Sequence, residues 1–131
     1  MKPRTLRWGP VVIVIGIIFI ASSTPGSDLP DLGYIDYLAK KGGHLLGYAL
    51  LGAAALHAFR GCGPSPGPGL IQACLLVILH AALDEWHQKF TPGRTPSFVD
   101  VCIDTVGGLI GIALFHLISG WFHRRGKGNS R

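Results

Sequence analysis

Four stretches without a single charged side chain, residues 8–24, 42–59, 62–83 and 105–123, divide this 131-residue chain and constrain its fold more than any other feature. A helix needs about 20 mostly apolar residues, with a tolerated range of roughly 17 to 25, to cross the hydrocarbon of a bilayer. Each block meets that length once its interfacial flanks are counted. The blocks predict an all-α, polytopic membrane protein, one domain over residues 1–131, with four transmembrane helices at residues 8–24, 42–60, 69–90 and 97–122. The small charged fraction, 15% against 48% hydrophobic, agrees; soluble domains carry about 25% charged residues.

The first block needs arbitration. Its centre, "VVIVIGIIFI", is rich in β-branched residues and in a soluble protein would read as a buried strand. Behind "MKPRTLR" and ahead of "ASS" it also has the three-part layout of a secretory signal. Followed by three further blocks, it reads as a retained first helix.

Charge placement orients the bundle, because Lys and Arg are enriched in short cytoplasmic loops. With the N-terminus inside, the inner face carries Lys2, Arg4, Arg7, Arg60, Arg124, Arg125, Lys127 and Arg131 and no acid. Every acid, Asp28, Asp31, Asp36, Asp84, Glu85, Asp100 and Asp104, falls outside, opposed by Lys40, Lys41, Lys89 and Arg94. Both termini are therefore expected to be cytoplasmic. The net charge of +5 expresses orientation and not a nucleic-acid footprint. Trp8, Trp121 and Phe122 at the inner ends and Tyr34, Tyr37 and Trp86 at the outer ends would form aromatic belts.

The connections fit this layout. "RGCGPSPGPG" is a Gly/Pro turn on the inner side, "TPGRTPS" a tight turn on the outer side, and residues 22–36 a longer polar outer segment. The three cysteines, Cys62, Cys74 and Cys102, lack CxxC spacing and read as small core residues.

At about 100° per residue, Lys41, His44 and Tyr48 share one arc of about 60° on the second helix. On the third, His80, Asp84, His87 and Gln88 share a face, with Glu85 at its edge and Trp86 opposite. On the fourth, Asp100 and Asp104 lie above Gly107, Gly108 and Gly111, which include a GxxxG spacing. Small residues let membrane helices approach closely. Ionisable side chains that cannot reach water turn inward and find partners. The stretch "DEWHQKFTPGRTPSFVD" is then the turn joining helices three and four, closing an extracytoplasmic polar pocket against the Lys41/His44/Tyr48 face.

The segments "KKGGHLLGYALLG" and "DEWHQKFTPGRTPSFVDVCIDTVGGLIG" resemble the VanZ-like membrane protein family, whose pattern runs K-x-x-H-x-x-x-Y, then D-E-x-x-Q-x-F-x-P-G-R, then S-x-x-D-x-x-x-N-x-x-G. "FIASSTPG" is similar to the Ser-Ser stretch that follows the family's first helix. The resemblance spans about residues 10–115. It places the family's polar residues on Lys41, His44, Tyr48, Asp84, Glu85, Gln88, Arg94, Ser97 and Asp100. Two positions depart from the pattern: Lys40 stands where an acid is common, and Asp104 where asparagine is usual. The resemblance implies a multi-pass protein of the bacterial cytoplasmic membrane. The family's founding member is linked to teicoplanin resistance, and many members have no assigned activity.

Several of these residues also have plainly structural uses. Ser97 and Asp100 fit S-x-x-D, a cap for the fourth helix. Arg94 can pair with Asp84 or Glu85 to hold the turn. Lys41 can snorkel to the headgroups, and His80 suits a hydrogen bond between helices.

The pocket composition, two cations against Asp84, Glu85, Asp100 and Asp104, is not that of a simple anion site. Either some carboxylates stay protonated or they hold a cation; carboxylates beside a histidine admit Mg2+, Mn2+ or Zn2+. No HExxH, P-loop or GxSxG motif is present.

Two functions remain open. One is a binding or resistance module in which Lys41, Tyr48, Gln88, Arg94, Ser97, Asp100 and Asp104 recognise the headgroup of a membrane lipid or lipid-linked envelope precursor. The other is an intramembrane hydrolase or transferase acting on such a headgroup, with Glu85 or Asp84 as general base, His44 as acid or ligand and Arg94 on developing negative charge. A proton-coupled transporter is weaker, since one-sided polar groups give no path to the cytoplasm unless a second copy of the chain completes one.

Overall fold

Where the second and fourth helices cross, glycines replace side chains and the two backbones touch. A Cβ placed on Gly107 would lie 2.6 Å from the Leu45 carbonyl oxygen, and one on Gly111 2.6 Å from the carbonyl carbon of Ala49. Gly52 meets Gly108 backbone to backbone, with 2.9 Å between a Cβ on Gly52 and the Gly108 carbonyl carbon. This crossing organises the molecule.

The computed structural model describes residues 4–25, 33–60 and 66–128. They form α1 (Arg4–Ser23), α2 (Tyr34–Arg60), α3 (Pro66–Gln88) and α4 (Phe98–Gly128), with no strand among them. The β-branched run in α1 is helical, consistent with a bilayer in which a lone segment must satisfy its backbone hydrogen bonds within itself.

The helices run up, down, up, down. Antiparallel α1 and α2 meet at Trp8 and Phe59, whose ring centroids are 5.0 Å apart, and at Ile18 and Gly47. Antiparallel α2 and α3 meet at Tyr48 and His80. Parallel α2 and α4 share the glycine crossing and, at its far end, Arg60, which donates to Ser119 and contacts the His116 ring nitrogen. Helix α2 touches each of the other three and α4 most extensively, so it is the central helix. The start of α1 and the ends of α2 and α4 therefore lie at one end of the bundle.

The interior is thin and rich in alanine: Tyr48, Leu51, Ala55, Leu56, Ala58, Ala73, Val77 and Ala81 are fully buried. Large apolar side chains such as Ile13, Ile20, Leu46, Leu79 and Leu117 cover the outside. A soluble monomer rarely exposes so much contiguous apolar surface; a lipid-facing one does. Among the described residues, three helices are long and apolar enough to cross a membrane, over Leu6–Ser23, Gly67–Gln88 and Phe98–Phe122. The fourth expected span, in α2, does not reach that composition: its Gly/Ala content and Lys40, Lys41 and His44 suit a helix packed among neighbours.

Helix ends also differ from expectation. Helix α2 begins at Tyr34 and not at residue 42, directly after Gly33 in a positive-φ conformation (62°). Helix α4 continues to Gly128. An apolar block marks what is immersed, whereas polar turns extend the helix beyond it. Helix α3 stops at Gln88, two residues early, in a run of tight turns at Lys89, Phe90 and Thr91 that leads to Gly93 (φ 71°). Cys74 is half-buried, but Cys102 is exposed and so is no core residue. Cys62, the inner turn at residues 61–65, and Asp28 and Asp31 in the outer segment lie outside the described residues, as do the side chains of Lys2, Arg4, Asp36, Arg124, Lys127 and Arg131.

Candidate functional site

The polar residues gather at the end of the bundle opposite Arg60, in two tiers set by helical spacing. The upper tier is ionic. Lys41 of α2 pairs with Asp100 of α4, both partly exposed, and the Lys41 ammonium lies 5.5 Å from the centre of the Tyr37 ring. Arg94, in the α3–α4 turn, reaches across to the end of α1, where Nε donates to the Thr24 carbonyl (3.3 Å) and a terminal nitrogen to the Ala21 carbonyl (3.1 Å). Its partners are thus backbone oxygens at a helix C-terminus, which lack intrahelical donors, and not the Asp84 or Glu85 carboxylates.

The lower tier is buried. Asp84 accepts hydrogen bonds from Ser22 Oγ (2.7 Å) and Gln88 Nε2 (3.4 Å). His44 Nδ1 is 3.4 Å from Asp104 Oδ2. One turn below His44, the ring of Tyr48 stacks with it and the Tyr48 hydroxyl lies 3.0 Å from His80 Nδ1. The interhelical use anticipated for His80 is the one found. Glu85 accepts the backbone N–H of Ser97, while Ser97 Oγ accepts the N–H of Val99. Helix α4 is therefore capped from two directions, with the acid supplied by α3, while Asp100 is engaged by Lys41.

A cavity of about 410 Å3 opens between these groups, lined by Lys41, His44, Gln88, Arg94, Asp100 and Asp104 together with Tyr37, Lys40, Gly93, Thr95 and Ile103. Tyr48, Asp84, Glu85 and Ser97 do not line it; they stand behind its wall, where they hold the lining residues. A second cavity of about 390 Å3 lies between α1 and α2, lined by Ile17, Ile18, Ala21, Ala39, Gly43 and Gly47. The two share Lys40, His44 and Arg94 as a common rim. Among the described residues, one group can offer three metal-ligating atoms close together: His44, Asp84 and Asp104, within 4.8 Å of one another.

Sequence reasoning placed most of these side chains on inward faces but passed over Ser22, fully buried against Asp84. Its one signal was its place in the Ser-Ser stretch after the first apolar block.

An all-helical bundle with an apolar exterior, three spans of membrane-crossing length and a polar cluster at one end describes a small integral membrane protein. The chain belongs to the VanZ/LLP1 family, whose model matches residues 8–119. No curated protein and no solved structure matches it.

Proposed function

We propose that the protein binds an amphiphile of the bacterial cytoplasmic membrane, a lipid or lipid-linked cell-wall precursor, with the headgroup in the polar cavity and the chain in the groove between α1 and α2. The observation that carries this reading is the shared rim: a polar and an apolar cavity of similar size meet at Lys40, His44 and Arg94, the arrangement a molecule with a charged head and a greasy tail requires. Arg94 and Lys41 suit a phosphate or pyrophosphate; Asp100, Asp104 and Gln88 suit the hydroxyl and amide groups of a headgroup. In this reading α2 is a fourth span, both termini are cytoplasmic by the placement of basic residues, and the cavity opens to the outer leaflet. Sequestering or altering an envelope precursor there would link the protein to glycopeptide resistance of the teicoplanin type.

Gly43 supplies the test. It lines the groove, and a Cβ placed on it meets nothing within 4 Å, so Gly43→Trp is expected to fill the groove, with unchanged circular dichroism as the check that the bundle is intact. In detergent-purified protein, a lipid-linked envelope precursor stabilises the wild type and leaves Gly43→Trp unchanged. Equal stabilisation of both removes the groove from the account.

A second reading, an intramembrane hydrolase or transferase acting on the same headgroup, is favoured by the buried group of Asp84, Asp104 and His44 beside the cavity. His44, which lines the cavity, would serve as acid, and Asp84 or Glu85, behind its wall, would serve as general base through an intervening water. Product formed by the wild type and lost in both Asp84→Asn and Glu85→Gln, with folding intact, supports it; precursor bound and recovered unaltered opposes it.

A further inference from the structure

Of the cations lining the cavity, Lys41 is paired with Asp100 and Arg94 holds two carbonyls. The two deepest carboxylates are not served by them. Asp84 is 5% exposed and Asp104 2%, and among the described residues neither is ion-paired with a lysine or arginine. Their partners are a hydroxyl, an amide and the His44 ring. A buried carboxylate at membrane depth gives up its charge or holds a cation.

We infer that His44, Asp84 and Asp104 hold a divalent cation, Mn2+ or Zn2+, where α2, α3 and α4 meet. Each helix contributes one ligand, and the three ligand atoms lie within 4.8 Å of one another. The 3.4 Å between His44 Nδ1 and Asp104 Oδ2 equals the edge of a tetrahedron with metal–ligand bonds of about 2.1 Å. One imidazole with two carboxylates is a donor set for Mn2+ or Zn2+; Mg2+ and Ca2+ take oxygen ligands. A 2+ ion neutralises both aspartates where they stand, and it brings no net charge into the bundle.

Two further observations support the site. Glu85, next to Asp84 in sequence, is 6% exposed and leaves Oε2 without a hydrogen-bond partner among the described residues. Ser22 Oγ and Gln88 Nε2 hold the Asp84 carboxylate in place, as the outer partners of metal ligands commonly do. His44 and Asp104 also line the 410 Å3 cavity, so a bound ion is reachable from it, and three protein ligands leave a coordination position for water or a headgroup oxygen.

The test uses the full chain in detergent, with metal content measured after purification and again after chelation and titration with Mn2+ or Zn2+ alone. The wild type binds one ion per chain. Asp104→Asn, which keeps the shape and removes the charge, weakens binding by at least about tenfold, as does His44→Ala, on the scale that changes around metal ligands produce. Asp100→Asn, at the cavity mouth, stays within about twofold, as its place outside the three ligands requires. Bound Mn2+ shows a 14N coupling in pulsed electron paramagnetic resonance that disappears in His44→Ala. Absence of stoichiometric binding, unchanged affinity in Asp104→Asn, absence of the 14N coupling in the wild type, or preference for Mg2+ or Ca2+ overturns the inference. The site goes beyond the amphiphile reading, and the two fail separately: metal bound without lipid removes only the proposed function, and lipid bound without metal removes only the site.

Discussion

Gly111→Ala adds one methyl group to the α2–α4 crossing, and the structure says what it meets. The new Cβ would lie 2.6 Å from the carbonyl carbon and 2.8 Å from the Cα of Ala49, with the Ala49 oxygen nearer still. These are backbone atoms of a helix, which cannot rotate away as the end of a side chain can. Relief requires α2 and α4 to move apart along the whole contact, loosening Gly52 against Gly108 and Gly107 against Leu45. Overpacking of this kind costs roughly 1–3 kcal/mol, and the rigid obstacle puts Gly111→Ala at the upper end, about 3 kcal/mol. Gly43→Ala is the control, because its Cβ meets nothing within 4 Å. There the gain in helix propensity, up to about 1 kcal/mol in water, leaves stability unchanged or slightly raised. Reversible unfolding in mixed micelles, followed by circular dichroism, compares the two. Equal stability for both variants would refute the claim that backbone contact organises the bundle. The same interface carries His44–Asp104 and Lys41–Asp100, so Gly111→Ala should also weaken any ligand held between them.

Three further substitutions separate structural from functional polar groups. Ser22→Ala leaves the buried Asp84 carboxylate without its 2.7 Å donor and should cost about 1.5–3 kcal/mol, the range for hydrogen bonds to charged groups, measured by the same unfolding assay. Tyr48→Phe removes only the hydroxyl shared with His80 and should cost about 1 kcal/mol; a larger loss would mean that the hydroxyl serves more than this one bond. Asp100→Asn breaks a partly exposed ion pair and should cost less than about 1 kcal/mol, with the small effect fading further at high salt.

The inward stripe of Lys41, His44 and Tyr48 was legible in the sequence because helical periodicity carries it, and the small-residue stripe of Gly107, Gly108 and Gly111 because GxxxG spacing has a packing meaning. Hydrophobic blocks revealed four helices but misplaced their ends: residues 34–41, with Asp36, Lys40 and Lys41, and the basic residues 123–128 are helical, and immersion in lipid rather than helicity is what hydropathy reports. The partners were harder to read. Arg94 was set beside acids by charge alone, whereas it binds Ala21 and Thr24, some 70 residues earlier, through carbonyls that carry no side-chain signature. Glu85 caps a helix other than its own, a relation fixed only when α3 and α4 are folded together. Ser22 is a small residue among small residues until Asp84 arrives opposite it.

In the function proposed above, the cavity and the groove hold one amphiphile between them. The most direct measurement is the thermal stability of detergent-purified wild type and Gly43→Trp, titrated with a lipid-linked envelope precursor and, separately, with its water-soluble headgroup. The intact precursor should stabilise the wild type in a concentration-dependent way, the headgroup alone more weakly, and in Gly43→Trp the intact precursor should have no advantage over its headgroup. An intact precursor that leaves the wild type unmoved, or stabilises Gly43→Trp as strongly, would contradict the proposed function.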